Sequence, residues 1–217
     1  MSSVNSFSEK RKSFLARMFA NAFKKIEASN QKRRLRKQLE RSDFSIISNN
    51  CWGGVIYQKY GLKYTTPTVG LYILGHDFVK FASDLGNYLK GELEFIPWEQ
   101  GKNYSALKND APYPIARLKD IEIYFMHYST QEEAAEKWYR RAKRVNYDHL
   151  IFKLSQREAC TKEDIEVFMH LPLNHRVCFA YDRVPGTLHI PELKDWSGDE
   201  MPLITRYYDE LPLLNEK

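Results

Sequence analysis

Residues 44–60 read FSIISNNCWGGVIYQKY, and the order of side-chain types in this stretch decides the fold. Phe44 to Ile47 is a short apolar run that suits a buried strand. Ser48, Asn49 and Asn50 break it with side chains that favour turns and helix caps. Cys51, Trp52, Gly53 and Gly54 follow, and Val55, Ile56 and Tyr57 open a short helix. Strand, tight polar turn and helix start put Cys51 at a helix N-terminus. In an open α/β sheet such a turn lies at the carboxyl edge, where ligands bind. Unpaired N–H groups and the positive end of the helix dipole favour a thiolate or a bound oxyanion there. The plainer alternative is a thiol that only packs, since free cysteine is among the most buried residue types.

Downstream, the same alternation continues. Gly61 is placed to end the first helix. Val69 to Leu74 is a second apolar strand, and Gly75-His76-Asp77 is the next turn, with Asp77 as a cap. Phe78, Phe81, Ala82, Leu85, Tyr88 and Leu89 repeat at helical spacing. Leu93 to Pro97 is extended, Glu99 to Pro114 is a polar surface loop, and Ala116 to Leu118 is a small strand. Ile121 to Met126 is a strand that delivers His127 and Tyr128 to its end. Thr130 and Glu133 form a capping-box pair for a helix reaching Val145. Leu150 to Leu154 and Arg176 to Tyr181 are further strands, separated by a helix that Thr161 caps. The segment 182–217 packs across the sheet edge or walls a pocket. Alternation with apolar strands predicts an α/β fold: a largely parallel sheet with helices on both faces, a Rossmann-like three-layer arrangement.

Charge divides the chain in two. Residues 9–41 carry 12 Lys/Arg against 3 Asp/Glu, and the remainder carries 21 against 25. The basic part reads as an amphipathic helix over 7–41, with Leu15, Met18, Phe19, Ala22, Phe23 and Ile26 as its stripe. The expected division is a basic helical segment, 1–41, followed by a single α/β domain, 42–217. The helix either docks on its own domain or meets an anionic membrane surface through residues 10–41. Nucleic acid is the third candidate, without a recognisable module to support it. Cys51, Cys160 and Cys178 are an odd number without metal-ligand spacing, which points to a reducing compartment. The His149, His170, His175 and His189 spacing matches no metal site. No run approaches a membrane span and no signal peptide is evident, so a cytoplasmic location, peripheral at the inner face of the plasma membrane, is expected.

Several stretches resemble one bacterial family: NNCWGGVIYQ at 49–58, TPTVGLYI at 66–73 and DFVKFASDLGNYL at 77–89. YPIARLKDIEIYFMHY at 113–128 and EEAAEKWYRRAKRVNYDHLIF at 132–152 add to it. The family is the domain of unknown function 1919, often labelled exopolysaccharide biosynthesis protein. The resemblance covers about 43–210, leaves the basic helix outside, and implies a role near capsule or exopolysaccharide synthesis without an established reaction.

A thiol nucleophile needs a base. His127 is the first choice for Cys51 because it too ends a strand, and His76 is the second. Asn49, Asn50 and the N–H groups of Trp52 and Gly53 are candidate oxyanion donors. Gly53 and Gly54 would admit a ligand close to the backbone, or merely allow helix–strand packing. Asn50 is equally well a cap, and the plainer reading of His127, a core histidine bonded to a carbonyl, stands ahead of catalysis. Arg141 and Arg144, three apart on one helix, could hold a phosphate or carboxylate of a nucleotide-sugar or coenzyme A. Asp148 reads as a turn residue. Two function classes follow. One is an enzyme acting on a glycan precursor, with acyl transfer through Cys51 and acyl-coenzyme A as donor. The other is a non-catalytic scaffold of a polysaccharide assembly at the membrane. A glycosyltransferase is the weakest, since no Asp-x-Asp sequence occurs.

Overall fold

Four apolar strands lie side by side and parallel: β1 (Ser45–Ser48), β6 (Leu150–Ser155), β7 (His175–Ala180) and the two-residue β8 (Leu188–His189). The computed structural model describes residues 24–106 and 113–216. In the parallel sheet, neighbours along a strand point to opposite faces. Ile46, Ile151 and Phe179 join one core with Trp52, Tyr57 and the late residues Leu193, Leu203 and Leu214. Ile47, Phe152, Leu154 and Cys178 join the other core with Phe78, Phe81, Trp138 and Phe168. The helix α2 (Trp52–Tyr60) thus serves the first core. The helices α3 (Gly75–Ser83), α5 (Gln131–Ala142) and α6 (Lys162–His170) serve the second.

The remaining strands form a second sheet, and it is antiparallel: β2 (Tyr72–Ile73), β5 (Ile121–Tyr124), β4 (Ile115–Leu118) and β3 (Leu93–Ile96), in that spatial order. The expectation of one largely parallel sheet is therefore corrected to a mixed α/β fold with two four-stranded sheets. Connection length is the physical reason. Leu118 pairs with Ile121 across only Lys119 and Asp120, and Lys119 takes φ +58°. A two-residue link with a left-handed first position makes a hairpin, whereas a parallel pair needs a crossover of a dozen or more residues.

The first helix, α1, occupies residues 24–36, and the rest of the expected 7–41 helix before residue 24 lies outside the described residues. Residues 24–34 are exposed, but Leu35 and Leu39 pack on the first core. The Glu40 N–H donates to Asn215 Oδ1 at 2.9 Å, and Asn215 Nδ2 donates to Gln38 O at 3.1 Å. The single expected helix over 78–89 is broken at Asp84 into α3 and α4 (Leu85–Tyr88). Helix α3 begins at Gly75, so Asp77 lies inside it, where its buried carboxylate accepts from Lys102 Nζ at 2.9 Å. The late segment adds α7 (Met201–Ile204) and α8 (Leu211–Leu214).

Candidate active site at the carboxyl edge of the parallel sheet

The turn after β1 is closed by its own side chains. Ser48 Oγ donates to Asn50 O at 2.7 Å and accepts from Gly53 N at 3.2 Å. Asn50 Oδ1 accepts from Trp52 N at 3.3 Å. The N–H groups of Trp52 and Gly53, expected as oxyanion donors, are thus engaged inside the turn. The Trp52 indole is 1% exposed and packs in the first core. A Cβ on Gly53 would stand 2.9 Å from Ile46 Cγ2 and 2.9 Å from Ser48 Oγ, and one on Gly54 would meet Val69 Cγ1 at 3.2 Å. Close packing of α2 on β1 accounts for Gly53, whereas Gly54 abuts Val69 of the loop before β2 and lines a small cavity beside Cys51.

Behind this turn lies a buried polar network. Ser48 pairs in register with Lys153 of β6. Lys153 has no exposed surface; its Nζ donates to Asn50 Oδ1 at 2.7 Å and pairs with Glu200 Oε1. A buried ammonium is costly unless paired and hydrogen-bonded, and here it is both. The second Glu200 oxygen is buried without a partner among the described residues. Asn49 Oδ1 accepts from Ser155 N at 3.0 Å, which pins the asparagine across the two strands.

Both amides converge on Glu158, in the turn after β6. Asn49 Nδ2 and Asn50 Nδ2 donate to its Oε2 at 3.3 and 3.4 Å. Glu158 and Ala159 adopt φ +50° and +56°, a left-handed pair without glycine. Such conformations cost on the order of 1–3 kcal/mol each and collect at functional sites. The turn is held against α3: Glu158 O accepts from Gly75 N at 3.0 Å, and a Cβ on Gly75 would lie 2.3 Å from Cys160 Cα. Burial, reinforced by Glu200, pushes the Glu158 carboxyl up to about 7, while Arg157, Lys153 and the Asn50 amide oppose the rise. The side chain retains 17% exposure and lines a cleft of about 700 Å³. Gln156 and Tyr181, the residues following β6 and β7, line the same cleft, so it opens at the carboxyl ends of those strands. Tyr72, Tyr113 and Trp196 add aromatic faces, and Asn103 adds an amide.

Cys51 sits at the border of this site and is part-exposed, whereas Cys160 and Cys178 are buried. Its Sγ lies 3.8 Å from Met126 Sδ. Burial first, then Glu158, Glu200 and Asp199, push the thiol up to about 11, with only Lys153 pulling the other way. The surroundings therefore favour the thiol over the expected thiolate: the Trp52 and Gly53 N–H groups are engaged inside the turn, and burial with Glu158, Glu200 and Asp199 outweighs Lys153. Cys51 does share a cavity of about 310 Å³ with His127, Tyr128 and Arg141. With Gly54, which also lines it, the structure gathers five predicted residues there. His76 is elsewhere, 3.2 Å from Asp164 on α6, with its side chain 70% exposed. Arg144 donates to Tyr64 O at 3.4 Å and does not line the cavity. Asp148 lies in neither site.

Lys153, Glu158 and Glu200 escaped sequence reasoning. Lys153 left one signal, a lysine inside the apolar run LIFKL that was expected to be buried. Glu200, 47 residues from its partner in sequence, left none. Among the described residues no group of His, Cys, Asp and Glu is arranged to hold a metal ion, and no helix is long and apolar enough to cross a membrane.

Comparison with known proteins places these residues in context. A family model described as "Domain of unknown function (DUF1919)" matches residues 22–200. That span holds the Asn49-Asn50-Cys51 turn, Lys153, Glu158 and Glu200, and it begins within the basic segment that the sequence resemblance left out. The chain is also similar to an uncharacterized protein of Haemophilus influenzae, 31% identical over 173 residues, covering 76% of this chain and 79% of that protein.

Proposed function

The chain belongs to the DUF1919 family, and on that premise we propose that it is an enzyme acting on a glycan precursor by general acid–base catalysis at Glu158. One observation carries this: a carboxyl facing a cleft of about 700 Å³ is held near neutrality by its surroundings. A general acid or base works best when its pKa lies near the operating pH, and burial is the usual means of bringing a glutamate there. Glu158, as the carboxylate, accepts the proton of a substrate hydroxyl and becomes the carboxylic acid. The Asn49 and Asn50 amides hold its Oε2, and Lys153 with Glu200 holds the amides. Aromatic faces beside amide groups suit a ring-shaped, hydroxylated substrate, with C–H faces against Tyr72, Tyr113 and Trp196 and hydroxyls toward Asn103 and Gln156.

Acyl transfer through Cys51 draws less support, because its thiol is pushed up to about 11. The exposed Lys and Arg of α1 support contact with an anionic membrane surface, which would bring the cleft to membrane-bound acceptors. A thermal-shift screen with nucleotide-sugars and oligosaccharides identifies ligands, since binding to the folded form raises the melting temperature. Turnover of a ligand so found should have an acidic limb near pH 7 and vanish in Glu158→Gln. Full turnover in Glu158→Gln rejects the assignment.

A further inference from the structure

We infer that the 310 Å³ cavity beside Cys51 seats a phosphoryl or pyrophosphoryl group of the substrate, an inference that rests on the glycan-precursor reading of the neighbouring cleft. Lys137, Arg141 and His127 line this cavity, and its lining contains no carboxylate. Lys137 and Arg141 are four apart on α5 and so share a face.

Arg141 is a preorganised cation. It is 8% exposed, and it donates through Nη1 to the Tyr128 hydroxyl at 2.6 Å. That hydroxyl in turn donates to Val69 O at 2.5 Å. The Tyr64 ring centroid lies 4.9 Å from the guanidinium carbon, a stacking distance. Only Nη1 is committed to these bonds among the described residues. A guanidinium fixed in this way presents its fork to an oxyanion with little further ordering cost. Lys137 adds a second charge, tempered by Glu133, with which it pairs at 2.5 Å. Gly70, at φ +72°, brings backbone to the wall; a Cβ there would press on His127 and Tyr128 at 3.3 Å.

Size and position complete the argument. A cavity of about 310 Å³ is at the small end for ligand sites and fits one or two phosphoryl groups. Cys51 lines this cavity and Met126 lines the larger cleft, and their sulfur atoms are 3.8 Å apart. One side chain's thickness therefore separates the two spaces. A phosphate anchored by Arg141 and Lys137 would leave its attached sugar on the Glu158 side.

Cys51 alkylation reports occupancy directly. The full-length protein is treated with iodoacetamide at pH 9 with inorganic pyrophosphate, a nucleoside diphosphate or a short prenyl diphosphate, and labelling at Cys51 is followed by mass spectrometry. Pyrophosphate should slow labelling several-fold in the unmodified protein. Lys137→Gln should lose the protection and Glu133→Gln, which frees Lys137, should deepen it. The better protector of the two organic diphosphates, at equal concentration, identifies the carrier. Undiminished labelling in all three arms overturns the inference, and so does protection that survives unchanged in Lys137→Gln. The readout is independent of turnover: protection retained in a fully active Glu158→Gln would reject the acid–base assignment and leave the phosphate site standing.

Discussion

Lys153 Nζ donates to Asn50 Oδ1 over 2.7 Å in a place with no solvent exposure, and this contact ties the middle of the parallel sheet to the turn that opens α2. Its other end is Glu200, which comes from the late segment of the chain. The network therefore joins three distant parts of the sequence behind Glu158, which lines the cleft.

Breaking one partner of that pair should be costly. Lys153→Met leaves the Glu200 carboxylate buried and uncompensated, and Glu200→Leu does the same to the ammonium. Each should destabilise by about 3–5 kcal/mol. The double variant should recover most of the loss, because a well-packed apolar pair often matches a buried ion pair. Urea denaturation of the two single variants and the double variant measures this coupling.

Cys51 should label first among the three cysteines, because Cys160 and Cys178 are buried. Its rate should nevertheless keep climbing with pH, without a plateau below about pH 10, since only the thiolate reacts. The rise to about 11 requires this. Iodoacetamide labelling against pH, read by mass spectrometry, checks order and profile together. A plateau near pH 8 would restore the primed thiol.

The elements of this fold were legible where side chains announce periodicity. Seven strands and the helices from α2 to α6 fall close to their expected places, because apolar runs and the Thr130 and Thr161 caps are local signals. Sheet direction was not local. The run Leu93 to Met126 holds β3, β4 and β5 with only two single-turn 3-10 helices, Trp98–Gln100 and Tyr104–Ala106, between them among the described residues, and the two-residue link at Lys119 already excluded a parallel pair. The site divided similarly. Cys51 follows β1 of the parallel sheet and His127 follows β5 of the antiparallel one, so they line one cavity from two sheets rather than from the neighbouring strands that were expected. The upward push on the Cys51 thiol comes from burial first and then from Glu158, Glu200 and Asp199, more than 100 residues away, which spacing around the cysteine cannot reveal.

Truncation separates the two halves of the basic segment. Removing residues 1–31 should leave the melting transition nearly unchanged, since residues 24–34 are exposed. Removing 1–41 strips Leu35 and Leu39 from the first core and the backbone partners of Asn215. Burial of two leucines is worth about 1.5–3 kcal/mol each when complete, and these are partly buried, so a loss of about 2–3 kcal/mol is expected. Flotation with anionic liposomes should fall with either truncation and with added salt.

Glu158 sets a pH dependence of stability. Its native value of about 7 lies above the ordinary 4.5. The native state therefore binds more protons than the unfolded state between these values, and stability falls as pH rises from about 4.5 to about 7. The full penalty, present above pH 7, is about 3 kcal/mol. Glu158→Gln keeps an oxygen to accept from Asn49 and Asn50, and should flatten that decline. Chemical denaturation of both proteins at pH 5 and pH 8 measures the difference.

The titration of Glu158 itself is the most direct test of the proposed acid–base role. Carbon-13 NMR of the glutamate side-chain carboxyls, with the resonance assigned by its absence in Glu158→Gln, gives the midpoint. A midpoint near pH 7 is expected from the burial of this carboxyl beside Glu200. A midpoint close to 4.5, with the carboxyl ionised throughout the neutral range, would contradict the assignment of Glu158 as the general acid or base.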